Sequence, residues 1–219
     1  MIAKISGYIL YLFSVLVYRT CRFTLTGYDQ IENILDSGVP MIITSWHGMT
    51  MMVAGFLRKK MDITSFAVIM PDDHRGKVLK VFARKLDTLP IPLNLSGDET
   101  FGTGRKLVHL VRLILKGKNF LIHPDGPAGP AYKVKPGLSY IAQKSGATII
   151  PLGCYCRHSY HVPRWDRYTL PLPFSKVHVQ IGPPLLISKD TEDLGETNQY
   201  IEDLLNRLKL KASANYYEL

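Results

Sequence analysis

The sequence predicts an α/β protein, with a mixed, mostly parallel central sheet, helices on both faces and an apolar helix at the N-terminus. Three observations predict it. Short apolar, β-rich runs alternate with helix-period runs along most of the chain. Titratable and glycine-rich residues gather directly after those runs, where open sheets of this class carry their sites. Fourteen uncharged residues, 5–18, stand between Lys4 and Arg19.

Taken in order, 5–18 (ISGYILYLFSVLVY) is short of the roughly 20 apolar residues that span a bilayer. No small-x-small cleavage site follows it. A helix lying in one leaflet, with Lys4, Arg19 and Arg22 toward lipid headgroups, suits it better than a span; a buried core helix is the alternative. Residues 1–26 are therefore assigned to a membrane-associating helix and 27–219 to a single α/β domain. Within that domain, strands are expected at 40–46, 63–69, 119–123, 147–153 and 176–182. Helices are expected at 49–60, 76–86, 102–116, 136–145 and 197–211; the last has Ile201, Leu204, Leu205 and Leu208 at helical spacing. A short TLPIPLN segment lies between the second and third of these helices.

Composition excludes several classes. The chain has 219 residues and a formal charge of +9, from 27 basic and 18 acidic side chains. No run of 18 apolar residues exists, which excludes a multi-span membrane protein. Three cysteines exclude a disulfide scaffold and suit a reducing compartment. The positive charge favours an anionic partner, such as a phospholipid surface or a CoA-like ligand. The basic residues are scattered rather than striped with aromatics, so nucleic acid is not expected as a partner.

The polar residues at strand ends are the candidates for chemistry. His47 and Gly48 follow the first strand of the domain. An imidazole there titrates near neutrality and can take a hydroxyl proton. Asp72 and Asp73 follow the second strand. After 119–123 comes Pro124-Asp125-Gly126-Pro127-Ala128-Gly129-Pro130, a loop too rich in proline for a helix. Its rigid backbone can hold N–H groups toward a developing oxyanion. Asp125, its acid, can orient an imidazole, or alternatively cap its own turn. Cys154, Cys156, His158 and His161 form a chelate-like group, but alternation on one strand explains the first three, and no metal is expected. Gly102 and Gly104 lack the third glycine of a dinucleotide loop. No serine-hydrolase elbow or P-loop occurs.

Three blocks carry a family resemblance: Trp46-His47-Gly48, then His123–Gly137 (HPDGPAGPAYKVKPG), then Ala142–Gly153 (AQKSGATIIPLG). Together with Trp165-Asp166-Arg167-Tyr168, Pro171–Ser175 (PLPFS) and Gly182-Pro-Pro184, they resemble the lysophospholipid acyltransferase superfamily. The similarity covers about residues 27–187, and within the superfamily it is to a bacterial branch with WHG and PDGPxGP blocks. The resemblance implies transfer of a fatty acyl group from acyl-CoA or acyl carrier protein to a lipid hydroxyl. The site would lie at a membrane surface, on the cytoplasmic side, and need no cofactor beyond the donor. It assigns His47 as general base. The acid behind it is sought elsewhere in the chain, Asp125 first and Asp72 and Asp73 next, and Gly126, Pro127 and Gly129 would clamp substrate.

The chain departs from the family pattern at three places. Met52 stands where the acid five positions after the histidine is expected. Ala128 and Ala131 replace arginines, which leaves Lys133 and Lys135 to supply positive charge. Asn94–Gly97 stands where an arginine-containing block is expected. Two other readings remain open: a lipid-binding member without catalysis, and a thioester or ester hydrolase.

Overall fold

The computed structural model describes residues 2–93 and 100–218, apart from the side chains of 100–103. Seven strands form one sheet. In chain order they are β1 (Arg22–Thr26), β2 (Met41–Thr44), β3 (Phe66–Met70), β4 (Leu89–Pro92), β5 (Asn119–Ile122), β6 (Thr148–Tyr155) and β9 (Lys176–Ile181). Their spatial order is β1-β9-β6-β2-β5-β3-β4. Every pairing is parallel except β6 with β9, so the sheet is mixed and mostly parallel. A two-stranded hairpin, β7 (Ser159–His161) and β8 (Thr169–Pro171), stands apart between β6 and β9.

β2 holds the centre because all four of its residues are buried, as a parallel strand covered on both faces requires. Its pairs register Ile42, Ile43 and Thr44 against Phe120, Leu121 and Ile122 of β5, and against Ile149, Ile150 and Pro151 of β6. β4 carries Pro90 and Pro92, which a strand tolerates only at an edge, and it is the edge.

The helices are α1 (Ile2–Thr20), α2 (Glu32–Ser37), α3 (Thr50–Lys60), α4 (His74–Lys85), α5 (Thr100–Leu115), α6 (Gly137–Ser145) and α7 (Leu194–Glu218). α1, α3 and α4 pack together against one face. α5, α6 and α7 pack together, with α7 lying on β6 and β9. α1 docks through Gly7, where an added Cβ would stand 2.7 Å from the Val78 carbonyl of α4. Its buried residues are Gly7, Ser14 and Val17, and Ile2, Ile5, Tyr8, Ile9, Leu12 and Leu16 are exposed.

The strands and helices expected from periodicity are present, with shifted ends. The 63–69 strand begins only at Phe66, because Asp62 accepts from the Thr64 N–H (3.0 Å) and caps a turn over Ile63–Ser65. TLPIPLN supplies β4. The Gly102/Gly104 pair lies within α5 rather than in a loop. Asn94–Gly97 lies outside the described residues. β1, α2 and the β7–β8 hairpin were not expected; each is six residues or fewer and offers little periodicity to read. β1 pairs with β9 over its whole length, so residues 22–26 belong to the sheet of the main domain.

Candidate active site

The chain leaves β2 through Ser45 and Trp46, both buried, and turns over His47–Met49 before α3 begins at Thr50. The Met49 N–H donates to the Trp46 carbonyl at 2.9 Å and closes that turn. His47 therefore sits at the C-terminal end of the central strand, with its ring partly exposed.

A second segment meets the ring. Asp166 lies in the loop between β7 and β8 and is 2% exposed. Its Oδ2 is 2.7 Å from His47 Nδ1. A carboxylate only accepts, so Nδ1 carries the hydrogen and Nε2 keeps a free lone pair. Arg164 donates to the same Oδ2 at 3.2 Å. Burial holds the His47 pKa below its ordinary value; Asp166 pulls it upward and Arg164 pushes it down. The imidazole is thus neutral, oriented and able to accept a proton.

Two glycines let the segments approach this closely. A Cβ on Gly48 would stand 2.2 Å from the Asp166 carbonyl oxygen. Gly129, at φ 73°, lies under Trp165, where a Cβ would be 2.8 Å from the indole. The Trp165 and Tyr168 rings flank His47 at centroid distances of 5.6 Å and 6.1 Å. Turn, proline-rich loop and hairpin loop therefore converge on one imidazole.

Asp125 has a different task from the one expected of it. Its carboxylate does not hold the imidazole; it accepts the backbone N–H of His47, at 3.1 Å and 3.4 Å from its two oxygens. It is 1% exposed, and burial pushes its pKa up to about 6 against the pull of those backbone N–H groups. Asp73 accepts from the Arg75 and Gly76 N–H groups and pairs with the Arg75 guanidinium, which holds it down to about 2. It caps α4, and Asp72 is exposed beside it. Neither is the partner of His47.

In the loop, the Gly126 N–H is spent on the His123 carbonyl, and Pro127 and Pro130 have none to offer. Ala128 and Gly129 are left as its candidate donors. Lys133 pairs with Glu202 at 2.6 Å, and Glu202 also accepts the Val134 N–H at 3.0 Å, which fastens the loop to α7. Lys135 is exposed, with its Nζ folded over Gly126.

A second histidine lies behind the first. His123 Nδ1 donates to the Ser45 carbonyl at 2.9 Å, and its Nε2 faces the Thr50 hydroxyl at 3.0 Å. Burial and the neighbouring His47 push its pKa down to about 3, so it stays neutral. The rings of His47 and His123 are 5.3 Å apart. Beside this group, a cavity of about 400 Å³ is lined on one part by Met49, Met52, Cys154 and Leu210 and on another by polar side chains, Arg167 and Lys209 among them. Trp46 and Asp166 also line it, and Trp46 Nε1 and Asp166 Oδ1 are buried without a hydrogen-bond partner among the described residues.

Sequence reasoning did not single out Asp166 as the carboxylate that meets the His47 ring, although Trp165-Asp166-Arg167-Tyr168 already stood in the family resemblance. It lies 119 residues from His47, so spacing alone gave no sign of it.

No family model matches this chain. It is 26% identical over 185 residues to an uncharacterized protein of Rickettsia prowazekii (strain Madrid E), covering 83% of this chain and 81% of that protein. Its fold is similar to the crystal structure of the 1-acyl-sn-glycerophosphate acyltransferase PlsC from Thermotoga maritima. That likeness has a TM-score of 0.60 at 18% sequence identity and covers 95% of this chain and 78% of that one. The fold of this chain is thus one that an acyltransferase of glycerophosphates also uses.

Proposed function

We propose that this chain is an acyltransferase that moves a fatty acyl group from a thioester, acyl-CoA or acyl carrier protein, to a hydroxyl of a membrane lipid. The observation that carries the reading is the His47–Asp166 pair: a neutral imidazole, held through Nδ1 by a buried carboxylate, with Nε2 free. In the reaction, Nε2 takes the hydroxyl proton as the oxygen attacks the thioester carbonyl. The negative charge passes to the carbonyl oxygen, near the N–H groups of Ala128 and Gly129. Collapse breaks the C–S bond, and the leaving thiolate takes the proton back from the imidazolium, which restores the free base. Asp166, at hydrogen-bond distance from Nδ1, stabilises the imidazolium while it lasts.

The cavity beside Trp46 and Met52 suits the apolar chain of a substrate. Arg164, partly exposed beside His47, and Lys135 over Gly126 are the cations for an anionic part of donor or acceptor. The chemistry uses no resident cofactor or metal. α1 suits docking on a lipid surface, with the chain on the cytoplasmic side, where three free, buried cysteines would stay reduced. An imidazole that no carboxylate reaches would favour the non-catalytic reading; the contact of Asp166 with His47 supports the catalytic one.

The test is thiol release from an acyl thioester, measured with and without lysophospholipid or other lipid hydroxyl acceptors. Wild type should release thiol and form acylated lipid only with acceptor present. His47→Ala should lose about 10²–10⁴-fold in rate. Full activity of His47→Ala would end this mechanism, and acceptor-independent release of fatty acid would make the protein a hydrolase.

A further inference from the structure

Phe174 is the least explicable side chain on the surface. It is 81% exposed, and its backbone holds φ at 67°. A bulky residue in the left-handed region is strained, and an exposed phenyl returns no packing energy to the fold. Leu172, two residues before it, is 48% exposed. The short turn that carries both is firmly built. The Ser175 N–H donates to the Leu172 carbonyl at 3.2 Å, and the Leu172 N–H to the His158 carbonyl at 3.0 Å.

The turn is also stitched to the end of α1. The Phe174 N–H donates to Thr20 Oγ1 at 3.2 Å, Cys21 Sγ to the Leu172 carbonyl at 3.3 Å, and the Arg22 N–H to the Ser175 carbonyl at 2.9 Å. On α1, Ile2, Ile5, Ile9, Leu12 and Leu16 are each at least 45% exposed and follow the 3-4-3-4 spacing of one helix face. Of the residues of this helix, Gly7, Ser14 and Val17 alone are buried in the fold, so it is not a core helix. Cations gather around it: Lys4, Arg19 and Arg22 are exposed, Arg58 lies 4.6 Å over the Tyr18 ring, and Lys85 lies 5.4 Å over the Tyr8 ring.

We propose that the Leu172–Ser175 turn is a second membrane contact, in which Phe174 and Leu172 enter the headgroup–acyl boundary beside α1. The two elements form one docking face for an anionic bilayer. The inference rests on α1 being a lipid-contacting helix and assigns the partner surface beyond it. An apolar row bordered by cations, on a chain of charge +9, matches a negatively charged lipid surface better than a second copy of this equally basic chain. The strain at Phe174 then has a purpose, because it points an aromatic ring outward from a rigid turn.

The experiment is co-sedimentation of the full chain with mixed phosphatidylcholine–phosphatidylglycerol vesicles, alongside thermal melts and light scattering. Phe174→Gly should bind at least about tenfold more weakly, the loss expected when one phenyl is kept out of an apolar phase. The same variant should melt no lower than wild type, since glycine accepts the left-handed backbone without strain. Misfolding cannot mimic that split. Phe174→Trp should bind as wild type, with its added emission shifted to the blue by vesicles. Unchanged binding of Phe174→Gly, with Leu12→Ser weakened, would overturn the second contact and leave α1 as the lipid helix. Unchanged binding of both variants would overturn the lipid reading altogether. Concentration-dependent dimers that Phe174→Gly abolishes would assign the face to a second copy and overturn the proposal.

Discussion

Two loops each deliver one buried aspartate to the same residue, and the two aspartates do different work. The proline-rich loop brings Asp125 to the backbone N–H of His47; the hairpin loop brings Asp166 to its ring. The first carboxylate fixes where the turn sits, and the second fixes which ring nitrogen carries the hydrogen. Proximity to a catalytic candidate therefore does not define a role; the atom touched does. The contrast extends to charge. Asp125 is pushed up to about 6 by burial, whereas Asp166 shares its Oδ2 with the Arg164 guanidinium.

Substitutions can break this division of labour. The largest expected effect is on Asp166→Asn. Its amide can donate to Nδ1 and hold the imidazole in the tautomer that lacks a free Nε2 lone pair. Acyl transfer should fall about 10²–10⁴-fold with little change in melting temperature. Retained activity would reduce Asp166 to a structural contact. Asp125→Ala should show the reverse pattern. It leaves the His47 N–H buried without its partner and should cost about 1–3 kcal/mol in denaturant titrations. If it abolished catalysis without loss of stability, the roles drawn here would be exchanged.

Asp125 also predicts a pH signature. Its folded pKa of about 6 lies above its ordinary 3.8. The folded state holds the proton more tightly, so stability contributed by this group is full at low pH and declines as pH rises from about 4 to 6. Subtracting the Asp125→Asn stability curve from that of wild type should expose this decline; a flat difference would refute it. The smallest effect concerns Arg164. It lowers the His47 pKa, so Arg164→Gln should move the acid limb of the rate profile, where activity falls as the imidazole protonates, to higher pH. A shift toward lower pH would contradict the electrostatics of the pair.

Much of the architecture and part of the site were legible in the sequence. The parallel core announced itself through continuous apolar runs, and His47 through its place after the first of them. The proline–glycine loop was legible as a rigid element, and Gly129 proves to be the point where it passes under Trp165. Asp166 was not legible as the carboxylate beside the His47 ring, because the strands that carry its loop are three residues long and sit outside the main sheet. Lys133 reads as a free cation in the sequence, whereas the fold pairs it with Glu202 of α7.

Local periodicity and backbone restriction act over a few residues, so the chain by itself determined most strands of the main sheet, most of its helices, its rigid loop and the histidine at the end of β2. Which carboxylate meets that imidazole depends on two segments 119 residues apart closing on Gly48, where only a missing side chain lets their backbones touch. The same holds for Phe174, whose outward ring takes its place beside α1 through hydrogen bonds 154 residues apart in sequence. Those pairings are long-range steric and hydrogen-bonding choices, and the tertiary structure alone decided them.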